Sequence, residues 1–324
     1  MGAKAIRPWD YVPEMSMIAD TDTGEALTPY NGQADLIGTS QTIFDNLDPT
    51  LGNYFQAMAE GEMLDLETRS GKAIGGYCQT FPLRQLPFIF MNGTGSADNV
   101  QTLFHEAGHA FHAMETMKGL PLIIQRRANM EFNEVAAMGM EFLAAPYLSR
   151  ENGGFYATSA EAARHRLEHL EGTLLFFPFM ATVDAFQHWV YTHVDEVVAG
   201  GAAVLDAQWD AIWQRMIPGI DFTGWEHVRE SGWHRKRHIF RYPFYYIEYG
   251  IAQVGALQLW RNSLDDHPKA LADYRHALSL GGTRTLPQLF EAAGTELRFD
   301  PAMLGKLVAL VEGTIDQLLD EIGE

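Results

Sequence analysis

Residues 105 to 109 read His-Glu-Ala-Gly-His, two imidazoles four positions apart with a carboxylate beside the first. On a helix that spacing puts both histidines on one face, where one nitrogen of each can reach a single zinc ion. Glu106, about 100° round the helix, can reach a water on that ion and take its proton, so the chemistry on offer is metal-assisted hydrolysis. A chance pentapeptide on a solvated helix is the competing explanation, because short motifs recur. A hydrolytic zinc site needs a third protein ligand and one open position. Glu134, in Phe132-Asn133-Glu134-Val135-Ala136, is the best candidate. It falls early in a second helical run, about Asn129 to Leu148, that also carries Glu131 and Glu141 near one face. Acids are expensive on an inward face without a cation. A solvent-facing acidic stripe is the alternative, and the better one for Glu131 alone. His112 prolongs the histidine face by a turn, but the metzincin extension wants Gly there and His at 115, where this chain has His112 and Glu115.

Two further clusters carry polar chemistry. His165-Arg166-Leu167-Glu168-His169 satisfies the inverted H-x-x-E-H pattern. Its neighbours Arg164, Arg166, Glu168 and Glu171 fit an exposed helix face with charge pairing at i, i+4, and chance explains the match better. Residues 238 to 250 hold His238, Tyr242, Tyr245, Tyr246 and Tyr249. Any one of these tyrosines is most simply a core aromatic. A hydrolase also needs donors aimed at its oxyanion, which tyrosine hydroxyls and an imidazole can supply.

The elements that must position these residues are partly legible. Ser96 and Asp98 mark a helix start, and a helix over Ser96 to Lys118 places Val100, Leu103, Ala107, Phe111 and Met114 on one arc with His105, His109 and His112 opposite. Before it, Lys72 to Gln79 and Pro87 to Asn92 read as short strands and predict a small sheet. Met1 to about Asn46 is rich in Pro, Gly, Thr and Asp and predicts a wrapping segment of mostly extended or looped chain. After Gly93-Thr94-Gly95 helical spacing persists almost to Glu324, with breaks expected near Pro178, Pro218, Pro243, Pro268 and Gly281-Gly282. No solenoid repeat or low-complexity linker divides the chain, which predicts a mainly α protein with one catalytic domain over residues 1–324.

Composition narrows the class. A formal charge of −19 opposes binding to nucleic-acid phosphates and to anionic lipid. No stretch offers the roughly 18 apolar residues of a membrane span, and the single cysteine, Cys78, fits a reducing compartment. The expectation is a cytoplasmic protein with no nucleic-acid or membrane partner.

These residues resemble the thimet oligopeptidase and oligoendopeptidase F family of zinc metallopeptidases. The resemblance rests on HExGH at 105–109, on Glu134 in an F-x-E-[VA] segment 134 − 105 = 29 positions after His105, and on a downstream histidine with Tyr242, Tyr246 and Tyr249 at i, i+4, i+7. Gly71-Lys72-Ala73-Ile74-Gly75-Gly76-Tyr77 and Phe88-Ile89-Phe90-Met91-Asn92 are similar to the family's active-site sheet, and Leu286 to Gly294 to its C-terminal portion. The similarity runs from about Arg7 to the end and is nearest the oligoendopeptidase F branch.

The resemblance implies a zincin-like catalytic domain with a small sheet beside the HExxH helix. It implies zinc held by His105, His109 and Glu134, with Glu106 as general base and acid. Tyr246, with Tyr249 or His238, would donate to the oxyanion, with His234 as the fallback histidine. Gly75, Gly76, Tyr77 and Tyr242 would bind a short unstructured peptide cut at internal bonds. Lys72 and Arg235-Lys236-Arg237 offer charges for a peptide carboxylate, a solvated basic run being the simpler account of the latter. The family's usual N-terminal helical portion is absent from this chain, which leads to the expectation of a homo-oligomer, most simply a dimer. A peptide-binding protein that keeps the fold with weak catalysis, and another HExxH hydrolase such as an aminopeptidase, are the alternatives.

Overall fold

A computed structural model describes residues 5–10 and 27–323. Of the wrapping segment expected over 1–46, residues 1–4 and 11–26 lie outside the described residues. Gly32–Leu47 is not extended: it forms helix α1, burying Leu36, Ser40, Ile43, Phe44 and Leu47. Those positions keep helical spacing, but Gly38, Thr39, Ser40 and Thr42 are weak helix formers, and tertiary burial decides the conformation. Asp48 ends α1 and starts α2 (Pro49–Glu60), its carboxylate accepting from the backbone N–H groups of Thr50 and Leu51.

The described residues form two compact units rather than one cluster: one drawn from Met17–His169 and Ile251–Glu324, the other from Met1–Ser16 and Leu170–Gly250. The first contains α1, α2 and a three-stranded sheet ordered β1-β3-β2. β1 (Leu64–Glu67) runs parallel to β3 (Leu86–Gly93), while β2 (Tyr77–Phe81) pairs antiparallel from Phe81↔Leu86 to Tyr77↔Phe90. β3 alternates strictly in burial, as a central strand with one face on the core must. β2 is an edge.

The first expected strand therefore begins five residues late, and β1 was not foreseen. Residues 72–76 are a strap instead of a strand, and Lys72 explains why. Its side chain is only 1% exposed; the ammonium donates to Asp65 Oδ1 (3.0 Å) and the Glu67 carbonyl (2.7 Å), and lies 4.5 Å from the Phe90 ring centroid. Lys72 ties the strap to the sheet and is not available to a peptide carboxylate.

Helix α3 (Ala97–Gly119) follows the sheet and packs on β2 and β3. Asn99 Oδ1 closes its start by accepting from the backbone N–H of Thr94 (2.7 Å) and of Ser96 (3.2 Å). Of the expected arc, Val100, Leu103, Ala107 and Phe111 are fully buried and Met114 partly so, while His112, expected on the opposite face, is buried as well. Helix α4 (Met130–Ala144) crosses α3 at Gly108, where a Cβ would stand 2.5 Å from the Ala136 carbonyl oxygen and 2.6 Å from Ala137 Cα. Only glycine lets the two backbones approach that closely. Gly108→Ala is expected to lower stability by about 1–3 kcal/mol, the usual cost of overpacking, read as a lower urea midpoint; an unchanged midpoint would show that the crossing has slack.

Helix α5 (Ser159–Thr192) passes from the first unit into the second and continues through Pro178, where a break was expected. The other expected breaks fall between helices: Pro218 and Pro243 follow helix ends, Pro268 sits in the first turn of His267–Ser279, and Gly281–Thr283 is a short 3₁₀ turn. The second unit packs helices such as Ala202–Met216 around Phe179, Val183, Phe186, Trp209, Trp213, Trp233 and Tyr246. About 70% of the chain is helical, and the small sheet lies beside the HExxH helix, as the mainly α zincin-like class requires. Among the described residues no helix is long and apolar enough to cross a membrane.

Candidate metal centre

Because α3 and α4 meet at Gly108, the carboxylate of Glu134, one turn before Ala137, faces the histidines one turn away on α3. Glu134 Oε2 lies 3.5 Å from His105 Nε2 and 3.9 Å from His109 Nε2, and the three candidate ligand atoms all lie within 4.8 Å of one another. Ligands about 2.0–2.1 Å from a tetrahedral ion stand about 3.3–3.5 Å apart, so small side-chain adjustments close this set on one ion. The Glu134 side chain is 8% exposed and its buried Oε2 has no hydrogen-bond partner. That is the condition an ion would relieve. The histidine side chains are 25% and 22% exposed, which leaves the cluster reachable from solvent.

The charges favour a cation. Glu106, Glu134 and Glu141 are all buried around His105 and His109. Burial opposes the charged form of His105, yet Glu134 and Glu141 outweigh it and hold its pKa well above the ordinary imidazole value. Burial and the neighbouring His105 charge instead push His109 down to about 4. Burial would raise Glu134 and Glu141 too, but contact with His105 reverses this, and with His169 helping, Glu141 falls to about 2. For Glu106 burial wins, pushing the carboxyl up to about 7. A dication held by the two histidines and Glu134 would supply the positive charge that a proton on His105 otherwise provides.

The strap and β2 pass beside Glu106 on α3. A Cβ on Gly76 would stand 3.4 Å from Glu106 Oε1, and the Cys78 backbone N–H donates to the Glu106 carboxylate. Gly75 has φ +102°, and its carbonyl and that of Ala73 accept from Asn92 Nδ2, each at 2.9 Å. Tyr77 stacks on Phe90 at 4.9 Å. Gly75, Gly76 and Tyr77 thus run exposed past the general-base candidate at a sheet edge.

The tyrosines belong to the other unit. Tyr242, Tyr245, Tyr246 and Tyr249 surround His238, with ring centroids 5.1 to 6.1 Å from the imidazole. They do not share one helical face, because a turn with Phe244 at φ +61° separates Arg237–Arg241 from Ile247–Asp265. Tyr246 is 4% exposed against Phe176 and Phe179, Tyr249 is half-buried and Tyr242 exposed. His234 faces Asp206 instead, at 3.5 Å.

Two features escaped sequence reasoning. Glu141, two turns beyond Glu134 on the same side of α4, accepts from His105 Nδ1 at 2.6 Å. The H-x-x-E-H stretch of α5 is not an exposed face at its histidines: His165 is buried, and His169 Nε2 lies 2.9 Å from Glu141 Oε2. The only sequence signal for either was periodicity, since 134 and 141 are seven residues apart and 165 and 169 four.

The family model for peptidase family M3 matches residues 50–308 of this chain. The fold is similar to that of PZ peptidase A solved with inhibitor 2, with a TM-score of 0.82 and 29% identity over 98% of this chain and 53% of that one. A solved chain provisionally named oligoendopeptidase F gives a TM-score of 0.76 and 33% identity, covering 91% of this chain and 50% of that one. Oligopeptidase PepF of Bacillus subtilis (strain 168) is 24% identical over 286 residues, 85% of this chain and 40% of PepF. The chain thus spans about half the length of these solved chains and 40% of PepF.

Proposed function

Because this chain belongs to peptidase family M3, we propose that it is a zinc-dependent oligopeptidase that hydrolyses internal bonds of short unstructured peptides. The observation that carries this is the buried, unpartnered Glu134 oxygen between His105 and His109, with Glu106 beside them. His105, His109 and Glu134 would hold zinc, which supplies Lewis-acid polarisation of the scissile carbonyl and a water acidified to a pKa of roughly 7. Glu106 takes the water's proton and returns it to the leaving amine. The edge of β2, extended by Gly75-Gly76-Tyr77, pairs with substrate backbone as an added strand, which gives affinity with little dependence on side chains.

In the same proposal Tyr246, with Tyr249 or His238, donates to the developing oxyanion, and Tyr242 contacts the peptide. Tyr246→Phe is then expected to lower kcat by about 10²- to 10³-fold with little change in KM, because such a donor acts mainly in the transition state. Steady-state kinetics at matched metal content check this. An unchanged kcat would make Tyr246 a packing residue of its own unit.

The proposal also includes a cytoplasmic setting, which the single cysteine Cys78 suits, and self-association. The consecutive exposed residues Leu122, Ile123 and Ile124, 58%, 55% and 79% exposed, support the latter. Light scattering at micromolar concentration is expected to give at least a dimer, and a stable monomer would contradict it.

A further inference from the structure

His165 and His169 of α5 do not face solvent but join a line of hydrogen bonds that starts at His105. Glu141 Oε1 is 2.6 Å from His105 Nδ1, Gln101 Nε2 is 2.6 Å from Glu141 Oε2, His165 Nε2 is 3.0 Å from Gln101 Oε1, and the Tyr156 hydroxyl is 2.7 Å from His165 Nδ1. His169 Nε2 makes a further contact to Glu141 Oε2. All five residues that hold or extend this line from Glu141 lie in one compact unit.

The donor inventory fixes every direction in it. An ionised carboxylate only accepts, so Gln101 must turn its amide N–H toward Glu141, which leaves its carbonyl needing a donor. Only a protonated His165 Nε2 can supply one. A neutral imidazole that donates through Nε2 must accept at Nδ1, and the Tyr156 hydroxyl is there to donate. Burial keeps His165 neutral, pushing it down to about 3. At the other end Glu141 accepts from His105 Nδ1, so it is Nε2, the nitrogen that faces Glu134, that would give up its proton and offer its lone pair to a metal.

We propose that Gln101, His165 and Tyr156 are positioning residues: they orient Glu141, and through it they fix the ring and tautomer of His105 that present Nε2 to a metal. The proposal rests on His105 being a zinc ligand. Partners of this kind commonly govern metal affinity without touching the ion.

The test uses the full chain. Zinc dissociation constants are measured by chelator competition for wild type, Gln101→Met, His165→Leu, His165→Gln and Glu134→Ala, and long-range ¹⁵N–¹H spectra assign the imidazole tautomers of wild type. Gln101→Met and His165→Leu are expected to weaken zinc binding by roughly 10-fold or more, within the range of lost outer partners. His165→Gln, which keeps a donor at the Nε2 position, is expected to recover most of the affinity. The wild-type spectrum is expected to show His165 neutral with its proton on Nε2. Wild-type affinity in both Gln101→Met and His165→Leu, or a His165 protonated on Nδ1, would overturn the proposal. If the variants do not fold, the wild-type tautomer decides. A wild-type chain that binds zinc no better than Glu134→Ala would instead overturn the zinc reading on which the proposal rests.

Discussion

The Glu106→Gln protein is expected to keep the proposed zinc and to lose peptide hydrolysis by roughly 10²- to 10⁴-fold, the contribution of a positioned general base. The amide has the shape of the carboxylate and cannot take the water's proton. The site is built to hold that carboxylate at one place: α3 carries Glu106 next to His105, burial leaves it 7% exposed, and Gly76 and the Cys78 N–H close over it from the strap and β2. Its Oε2 has no hydrogen-bond partner, so it is available for a proton. Burial holds the carboxyl up near 7, and a dication beside it pulls it back down toward the ionised form that a base needs. Turnover measured with metal content checked on the same sample decides the matter. Activity within a few-fold of wild type at full zinc occupancy would remove Glu106 from the mechanism and favour a protein that binds peptides without a general base.

The second large effect falls on the metal itself. His109→Ala and Glu134→Ala are each expected to lower zinc affinity by more than the roughly 10- to 100-fold that loss of an outer partner costs, because each would remove one of the three proposed ligands. Metal analysis after dialysis against a weak chelator should find about one zinc per chain in wild type and little in either variant. Removing Glu134 also removes a carboxylate that lowers the cost of a cation between His105 and His109, so its loss is expected to exceed a simple count of ligands. Full zinc retention in both variants would place the site elsewhere on the chain.

The convergence of His105, His109 and Glu134 was legible because its information is largely local. His105, Glu106 and His109 are fixed relative to one another by the pitch of a single helix, and Glu134 stands out as an acid on a helix of mostly apolar and small residues. What the spacing could not give is which second helix meets the first and where. Gly108 encodes that crossing, since only a residue without Cβ fits over Ala136 and Ala137, but its meaning needs α4 in place. Glu141, Gln101 and His165 were hidden for the same reason: their roles are contacts between α3, α4 and α5, separated by 36 to 64 positions in the chain.

Elsewhere local preference and tertiary context disagreed. Residues 32–47 carry too many weak helix formers to announce a helix, and burial of Ile43, Phe44 and Leu47 overrides them. Pro178 should interrupt α5, and the helix runs through it. Lys72 reads as a free charge in a glycine-rich run, whereas three oxygens of β1 and its flank bury its ammonium. Tyr242, Tyr246 and Tyr249 keep helical spacing in sequence, yet the turn at Phe244 gathers them around His238.

The central claim is that zinc held at His105, His109 and Glu134 makes this chain cut internal bonds of short peptides. The most direct measurement is mass-spectrometric mapping of cuts in a defined mixture of short peptides, with the protein first stripped of metal and then reloaded with one equivalent of zinc. Internal cuts absent from the stripped protein and restored by zinc are the predicted result; no cuts from the reloaded protein, or cuts confined to stepwise N-terminal trimming, would contradict it.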